Sequence, residues 1–423
     1  MLKPEDNERI TRTGPGTPMG NLWRRYWVPV LLSEELAEND GPPLRVRLLN
    51  EDLIAFRDSA GKVGLVDAFC PHRRAPMFFG RNEECGLRCV YHGWKFDRNG
   101  TCVDMPSEPP DSLFKTKVTI AAYPTHEAGD VIWTYMGPPE LQPGVPDFEW
   151  LRAPATHRFI SKTFEACNWV QGLEGGLDSS HSSYLHNEEI GAKKLLRNRD
   201  GAPRLEVDRT DYGYTYQSIR NLDDDGEYVR VYQYIMPAQQ VRGSVVGLSG
   251  GRADVPRFDG HIWTPIDDHH TWVWNIMYSY DADAPLLPDY VEASETMFGR
   301  GSNDLIPGTF KLKKNLANDY FIDRQRQKTK TFTGIVGANT QDMAVQEGMG
   351  PIVDRSKEHL GTSDRAIIAM RQLLLEATDE VAAGRAPRGA DPAASRSIRA
   401  YDGYVPKGQN WRDAFASELI AKW

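Results

Sequence analysis

The stretch Cys70-Pro71-His72-Arg73, followed by Cys89-Val90-Tyr91-His92-Gly93-Trp94, decides how the rest of the sequence is interpreted. It reads C-x-H, then sixteen residues, then C-x-x-H. Two thiolates and two imidazoles at this spacing can enclose one metal centre from two neighbouring loops. The stretch therefore predicts a metal site whose ligands are Cys70, His72, Cys89 and His92.

Two kinds of centre use such a ligand set. A Rieske [2Fe–2S] cluster has two Cys on one iron and two His on the other, and structural zinc also accepts mixed Cys and His ligands. The Arg after His72 and the Tyr-His-Gly-Trp string match the two loops of a Rieske cluster and favour it, with zinc as the alternative. Cys85 lies close enough to Cys89 to be an alternative ligand, but we expect it to be a structural thiol; Cys102 and Cys167 lack ligand spacing and are expected to be packing residues.

Composition narrows the class of protein. The chain has 423 residues, a net charge of −9 and a pI of about 5.7, which argues against a nucleic-acid-binding surface. Its apolar runs are far shorter than the roughly 20 residues of a membrane helix. The first ten residues are polar and acidic, without the apolar core of a signal peptide. We expect a cytoplasmic chain with no membrane or nucleic-acid partner.

The pattern of strands and helices predicts an α+β protein with two domains. Residues 1–42 are expected to pack on the body and to include an aromatic helix over 21–27. Alternating segments over 43–140 predict a small all-β domain with the metal loops at one end. After a Pro/Gly-rich linker, residues 141–423 predict a catalytic domain in which an antiparallel sheet and helices surround a pocket.

A second constellation lies in the catalytic domain. Asp178, His181 and His186 form D-x-x-H-x4-H in a segment, 164–186, that looks largely helical. Residues five apart differ by about 140° on an ideal helix, so the two imidazoles would converge only where the helix is distorted or unwound. Two His and one carboxylate form the facial triad of non-haem Fe(II) oxygenases, which leaves coordination positions open.

With both motifs in place, the sequence resembles the oxygenase component of Rieske non-haem iron ring-hydroxylating oxygenases, in the phthalate dioxygenase-like group. The resemblance extends over nearly the whole chain. It is carried by these segments: GPGTPMGNLWRRYW, CPHRRA, CVYHGW, CNWVQGLEGGLDSSH, NDYFIDR and QDMAVQEGMGPIVDRSKEHLG.

The resemblance implies a role for individual residues. Cys70, His72, Cys89 and His92 would hold the cluster. His181 and His186 would bind the catalytic iron with Asp342, although Glu347 remains possible from the sequence alone. Asp178 matches an acidic residue that links a cluster histidine of one subunit to an iron histidine of its neighbour. Asn168 matches a polar residue near the iron, and a helix-face amide is the other interpretation.

The resemblance also implies partners and a reaction. No nucleotide-binding fingerprint is found in the chain, so a separate NADH-dependent reductase with a flavin and a ferredoxin-type centre would supply electrons. A head-to-tail homotrimer would bring each cluster to its neighbour's iron. The expected reaction is hydroxylation or dihydroxylation of an aromatic carboxylate, such as a phthalate- or phenoxybenzoate-like acid. The alternative is oxidative O-demethylation of a methoxylated, lignin-derived acid.

An aromatic carboxylate would require a cation in the pocket. The strand region offers three candidates, Arg220, Arg230 and Arg242. Two interpretations from other classes remain at this point: a Rieske electron carrier without oxygenase activity, and a zinc-containing protein that binds an apolar ligand.

Overall fold

A computed structural model describes residues 1–190, 196–247 and 252–423. The described chain forms two compact units, Thr13–Val145 and Met1–Arg12 with Pro146–Trp423. The β-strands, in chain order, are β1 Trp27–Leu32, β2 Leu44–Leu48, β3 Glu51–Arg57, β4 Val63–Asp67, β5 Arg81–Glu83, β6 Gly86–Arg88, β7 Lys95–Phe96, β8 Cys102–Asp104, β9 Ala122–Tyr123, β10 Thr125–Ala128, β11 Val131–Tyr135, β12 Arg158–Glu165, β13 Arg204–Arg209, β14 Gly213–Asn221, β15 Glu227–Ile235, β16 Gln239–Val246, β17 Arg252–Pro265, β18 Thr271–Ser279 and β19 Tyr401–Val405. The α-helices are α1 Pro4–Thr11, α2 Pro18–Trp23, α3 Glu149–Arg152, α4 Trp169–Leu177, α5 Leu196–Arg199, α6 Pro288–Phe298, α7 Arg324–Thr329, α8 Ala338–Gly348, α9 Arg365–Ala382 and α10 Trp411–Phe415.

The smaller unit is built almost entirely from strands. Three small sheets form it, with the strand orders β1-β11-β10, β2-β3-β4-β9 and β5-β6-β7-β8. A buried apolar cluster that includes Phe56, Val66, Leu87 and Phe96 forms its core. Two of the predicted metal ligands, Cys70 and Cys89, belong to the same cluster, so the predicted all-β domain is present.

The boundaries of the units differ from the expected 1–42, 43–140 and 141–423. Residues 13–42 belong to the β-unit because β1 pairs with β11 along its length. The predicted aromatic helix ends at Trp23, and Trp27 already opens β1. Residues 1–12 belong instead to the larger unit, where Arg9 donates hydrogen bonds to the Leu375 carbonyl and the Thr378 hydroxyl on α9.

The larger unit contains the expected antiparallel sheet and helices. Its strands follow the order β12-β18-β17-β16-β15-β14-β13, and β19 pairs with β15. Successive residues of a strand alternate between the two faces of the sheet. On one face, polar side chains of β15, β16 and β17 line a cavity. Residues of α4 and α8 line the same cavity.

The segment 164–186 is not one helix, as the sequence had suggested. Glu165 ends β12, and α4 begins only after Asn168. The helix ends at Leu177, where Asp178 is already extended, and a short 3-10 turn covers His181–Ser183. Both histidines therefore lie beyond the end of the helix, where the 140° separation of an ideal helix does not apply.

No helix in the described parts of the chain has both the length and the apolar character needed to cross a membrane.

Candidate metal centres and substrate cavity

The two loops of the β-unit have the same tight geometry. In the first, the Cys70 N–H donates to the Ala75 carbonyl and the Arg74 N–H donates back to the Cys70 carbonyl, both at 2.9 Å. In the second, the Cys89 and Gly93 N–H groups make the corresponding bonds at 2.8 and 3.0 Å. Gly93 has φ +77°, and a Cβ there would lie 2.6 Å from Pro106, so only glycine fits this turn.

The four predicted cluster ligands separate into an inner and an outer pair. Cys70 and Cys89 are 1% and 2% exposed, whereas His72 is exposed at the surface. The rings of His72 and His92 lie 4.4 Å apart, and His72 stacks on Trp94. Burial, together with the neighbouring Cys89 thiol, raises the pKa of Cys70 to about 11, so a cationic iron centre is needed to keep it as a thiolate.

This arrangement suits a two-iron cluster better than one zinc ion. Among the described residues, His, Cys or carboxylate ligand atoms approach within 4.8 Å of one another in a group of three at only one place. That group lies in the larger unit and contains none of the four predicted cluster ligands. The four Cys and His side chains are therefore more widely spread than the ligands of one ion. Two buried sulfur ligands and two outer imidazoles are the donor set that a Rieske cluster requires.

The second candidate metal site consists of His181, His186 and Asp342, whose ligand atoms could hold one ion. The Nε2 atoms of the two histidines are 3.1 Å apart, and Oδ1 of Asp342 lies 3.6 Å from the first and 3.3 Å from the second. Ligands about 2.1 Å from a metal and at right angles to one another are about 3 Å apart. The three atoms thus fit one face of an octahedral iron and leave the opposite positions open.

Helix α8 brings the carboxylate to the histidines. Asp342 is partly buried, and its desolvation alone would raise its pKa, but the His186 and His181 imidazoles hold the pKa at about 2. Glu347, the other candidate from the sequence, accepts hydrogen bonds from the Ala166 N–H at 2.8 Å and from the Tyr320 hydroxyl. Its oxygens are therefore already occupied, and Asp342 is the carboxylate at the site.

Gln341 orients His186, and the sequence analysis did not identify it. Its Nε2 donates to Glu188 and to the Ile335 carbonyl, both at 2.8 Å. Its Oε1 therefore faces His186 and accepts from Nδ1 at 2.8 Å. A proton on Nδ1 leaves the lone pair of His186 on Nε2, directed at the metal position. In the sequence, the only indication of this role is that Gln341 directly precedes Asp342.

Asp178 and Asn168 occupy different environments. Oδ1 of Asp178 accepts the N–H groups of Ser180 and His181 at 2.7 and 3.3 Å, and Oδ2 lies 3.8 Å from Nδ1 of His181. Asn168 is not part of the cavity wall, where a polar residue near the iron would be expected. It is fully buried, caps α4 by accepting the Val170 N–H, and donates to the Thr11 and Asp268 carbonyls, so it holds the start of the helix and does not line the cavity.

A cavity of about 690 Å³ adjoins the triad. Its wall includes all three candidate arginines of the sequence analysis, together with Arg257 and Asp259. Two further polar residues line it that the sequence analysis missed, Glu165 and His261. Their inward position depends on strand register and on α4, neither of which a single sequence specifies.

Comparisons with known proteins agree with these two sites. Residues 26–124 match the Rieske [2Fe-2S] domain and residues 134–422 match the family described as LigXa C-terminal domain like. The phthalate 4,5-dioxygenase oxygenase subunit of Pseudomonas putida is 38% identical over 98% of this chain and 94% of its own length. The 5,5'-dehydrodivanillate O-demethylase oxygenase subunit of Sphingobium sp. is 32% identical over 94% and 86%.

The fold is also found among solved structures. The QL mutant of NdmA from Pseudomonas putida CBB5, solved with caffeine, aligns over 90% of this chain and 96% of its own, with a TM-score of 0.63 at 20% identity. The family matches and the oxygenase relatives favour an oxygenase over the two other interpretations, an electron carrier and a zinc-containing binding protein. The chain belongs to the Rieske non-haem iron oxygenases, as an oxygenase component of the phthalate dioxygenase-like group with a [2Fe–2S] cluster and a mononuclear iron.

Proposed function

We propose that this chain is the terminal oxygenase of a multicomponent system that oxygenates an aromatic carboxylate with O2. Electrons come from a separate NADH-dependent reductase. The observation that carries the proposal is Arg242, a cavity cation that forms no ion pair or hydrogen bond among the described residues, in the same cavity as the triad. An anionic aromatic ring held by this guanidinium would lie within the cavity that adjoins the iron.

The three candidate arginines are not equivalent. Arg220 donates to the Ser218 hydroxyl at 2.8 Å and to the Ser179 carbonyl at 3.1 Å. Arg230 donates twice to the Gly243 carbonyl, at 2.9 and 2.6 Å. Both guanidinium groups therefore stabilise the cavity wall, and their hydrogen bonds are directed at protein atoms rather than at a ligand.

Arg242 is the arginine that remains available. Within the described residues it makes no hydrogen bond or ion pair, and it lies opposite Asp259 on β17 and Tyr232 on β15. The carboxylate of Asp259 is paired with Arg257 at 3.0 Å and accepts from Ser244 at 2.8 Å. Burial lowers the pKa of Arg242, so a bound carboxylate would offset the cost of a desolvated cation.

The chain's own residues have distinct roles in this proposal. His181, His186 and Asp342 would hold the mononuclear iron, and Cys70, His72, Cys89 and His92 the cluster; together these centres supply O2 activation and electrons. Arg242 binds the substrate carboxylate and thereby decides which edge of the ring faces the iron. Gln341 keeps the lone pair of His186 on Nε2.

Asp178 would connect the two centres between subunits. Its Oδ1 is engaged by two N–H groups, while Oδ2 is near His181, and the side chain as a whole is 25% exposed. A carboxylate in this position can accept an imidazole N–H from a neighbouring chain. His72 and His92 are the outer ligands of the cluster, which supports a head-to-tail homotrimer in which a neighbour's cluster docks at Asp178.

The test is a screen of aromatic acids with reductase and NADH that measures product as well as O2 uptake. Arg242→Met should raise KM for the active acid about 10- to 100-fold, because a charge-assisted hydrogen bond is lost. Arg209→Met, which removes an exposed ion pair with Glu376, is the matched control and should leave KM unchanged. Equal KM values for the wild type and Arg242→Met would contradict this assignment.

O-demethylation is the second candidate, and the similarity to an O-demethylase oxygenase subunit supports it. The same triad and cavity suit both reactions, because the oxidised position depends on how the ring is held. Methoxybenzoates included in the screen separate them: formaldehyde release identifies demethylation, and a dihydrodiol identifies ring dioxygenation.

A further inference from the structure

A row of polar side chains crosses four neighbouring strands beneath the cavity. Ser161 on β12 lies opposite Asn275 on β18, which lies opposite His261 on β17, and His261 lies opposite Gln240 on β16. Directly opposed residues share one face of a sheet. His261 and Gln240 also line the cavity wall, so this row connects the buried sheet to the substrate space.

A buried ion pair sets the direction of the hydrogen bonds in this row. Glu295 is paired with Arg300, which donates to it at 2.8, 2.9 and 3.0 Å, and both residues are buried. An ionised carboxylate can only accept, so the Ser161 hydroxyl donates to Glu295 at 2.8 Å. The Ser161 oxygen is then left to accept from its next neighbour.

That neighbour is Asn275, whose Nδ2 donates to Ser161 at 3.2 Å. Its carbonyl Oδ1 therefore points the other way, toward Nδ1 of His261 at 3.1 Å. A carbonyl oxygen has no proton to give, so Nδ1 of His261 carries the hydrogen. The Glu295–Arg300 pair thus fixes the tautomer of a cavity histidine through two intervening side chains.

The consequence is a lone pair on Nε2 of His261. The described residues provide no hydrogen-bond partner for this atom. His261 is 4% exposed and lines the cavity beside Trp263, whose ring lies 5.4 Å away. Burial lowers its pKa well below the ordinary value; Arg242 and Arg300 act in the same direction, and Asp259 and Asp342 oppose them. The ring is therefore neutral, with an acceptor facing the substrate.

The same ion pair braces the carboxylate ligand of the metal site. Arg300 also donates to Oδ1 of Asn339, and Nδ2 of Asn339 donates to Oδ2 of Asp342 at 3.3 Å. One buried arginine thus supports both the metal end of the cavity and the histidine.

We propose that Nε2 of His261 accepts a hydrogen bond from a hydroxyl group of the substrate, so that the cavity selects hydroxylated aromatic acids. The inference rests on the proposed function, in which Arg242 holds the carboxylate. Arg242 is two residues from Gln240, the cross-strand partner of His261, and two strand residues span about 7 Å. This is the scale of a benzene ring with substituents at both ends.

The experiment is calorimetric binding to the holoenzyme without reductase, so that no turnover occurs. The ligands are benzoate, 3- and 4-hydroxybenzoate, and 3- and 4-methoxybenzoate. A methyl ether has the oxygen but no proton to donate, so it is the matched control for the hydroxyl. The better hydroxybenzoate should bind about tenfold more tightly than its methoxy counterpart and than benzoate.

The variant His261→Phe should remove this preference, so that each hydroxybenzoate binds within about twofold of its methoxy counterpart. Replacing the exposed His269 by Phe is the control and should retain the preference. Ser161→Ala is a milder second variant: it releases the amide of Asn275 from its fixed direction and should reduce the preference severalfold.

The outcomes distinguish this inference from the function on which it rests. Equal or tighter binding of the methoxy acids in the wild type, or a preference that survives in His261→Phe, would overturn the assignment of His261 and leave the oxygenase proposal standing. Binding of none of the five acids would overturn the aromatic-carboxylate proposal, and the inference with it.

Discussion

Nε2 of His186 lies 3.3 Å from Oδ1 of Asp342, although one residue comes from a loop after α4 and the other from α8. With His181, they bring three ligand atoms to one point. A local motif supplies the two histidines, and the packing of α8 against the loop after α4 adds the carboxylate.

Substitution of the two carboxylates on α8 should separate their roles. Asp342→Asn should lose the mononuclear iron because an uncharged amide replaces the anionic ligand, whereas Glu347→Gln should retain it. Iron analysis measures this, with three irons per chain expected for the wild type and Glu347→Gln and two for Asp342→Asn. Loss of iron in Glu347→Gln with retention in Asp342→Asn would reverse the assignment.

Gln341→Leu should weaken iron binding at the triad about 10- to 100-fold, because His186 loses the acceptor that fixes its tautomer. Competition with a chelator measures the affinity, and the visible spectrum of the cluster should not change. Gln325→Leu, at an exposed position on α7, is the control. The same affinity in Gln341→Leu and the control would show that the hydrogen bond to His186 does not tune the metal.

Asp178→Asn should keep both metal centres but disconnect them. The Asn oxygen can still accept the Ser180 and His181 N–H groups, so the loop is preserved, but the charge that would attract a neighbour's imidazole is lost. Single-turnover experiments should show cluster oxidation without matching product formation. A normal product yield in this variant would remove Asp178 from the electron path.

Glu165 should make stability depend on pH. Burial, together with the Glu347 carboxylate, raises the pKa of Glu165 to about 8 from an ordinary 4.5. Below pH 4.5 the group is protonated in both the folded and the unfolded chain. Between pH 4.5 and 8 the folded chain binds the extra proton, so stability falls as pH rises, by at most about 1.4 kcal/mol per pH unit.

Glu165→Gln removes this titration. The unfolding midpoint of the variant, relative to the wild type, should therefore rise between pH 5.5 and 7.5. Glu380→Gln on α9 should show no such trend. A parallel pH dependence for the wild type and Glu165→Gln would mean that the Glu165 carboxyl is already ionised in the folded chain.

The sequence predicted those features that depend on local spacing. The C-x-H and C-x-x-H loops and the alternating strands each contain their signal within a few residues. The break in the segment 164–186 appeared in the sequence analysis only as a condition for the two imidazoles to converge, because the sequence does not specify that the helix ends at Leu177. Asn168 kept two interpretations for a related reason: an amide before a helix can cap it or face a site, and only tertiary contacts distinguish the two.

The cavity wall was beyond single-sequence reasoning. Three arginines were candidates, and their different roles depend on which carbonyls and hydroxyls lie across the sheet. The tautomer of His261 depends on Glu295, which lies on α6 and reaches it through two other strands. Such relationships follow from register, which pairs residues that are distant in the chain.

The most direct test of the account is a single-turnover reaction of the fully reduced holoenzyme. The protein is reduced anaerobically, mixed with an aromatic carboxylate identified by the binding experiments, and exposed to O2. If the cluster and the triad act together as proposed, one molecule of hydroxylated, dihydroxylated or demethylated product forms for each cluster oxidised. Oxidation of the cluster and consumption of O2 without an oxygenated product, for every acid that binds, would contradict it.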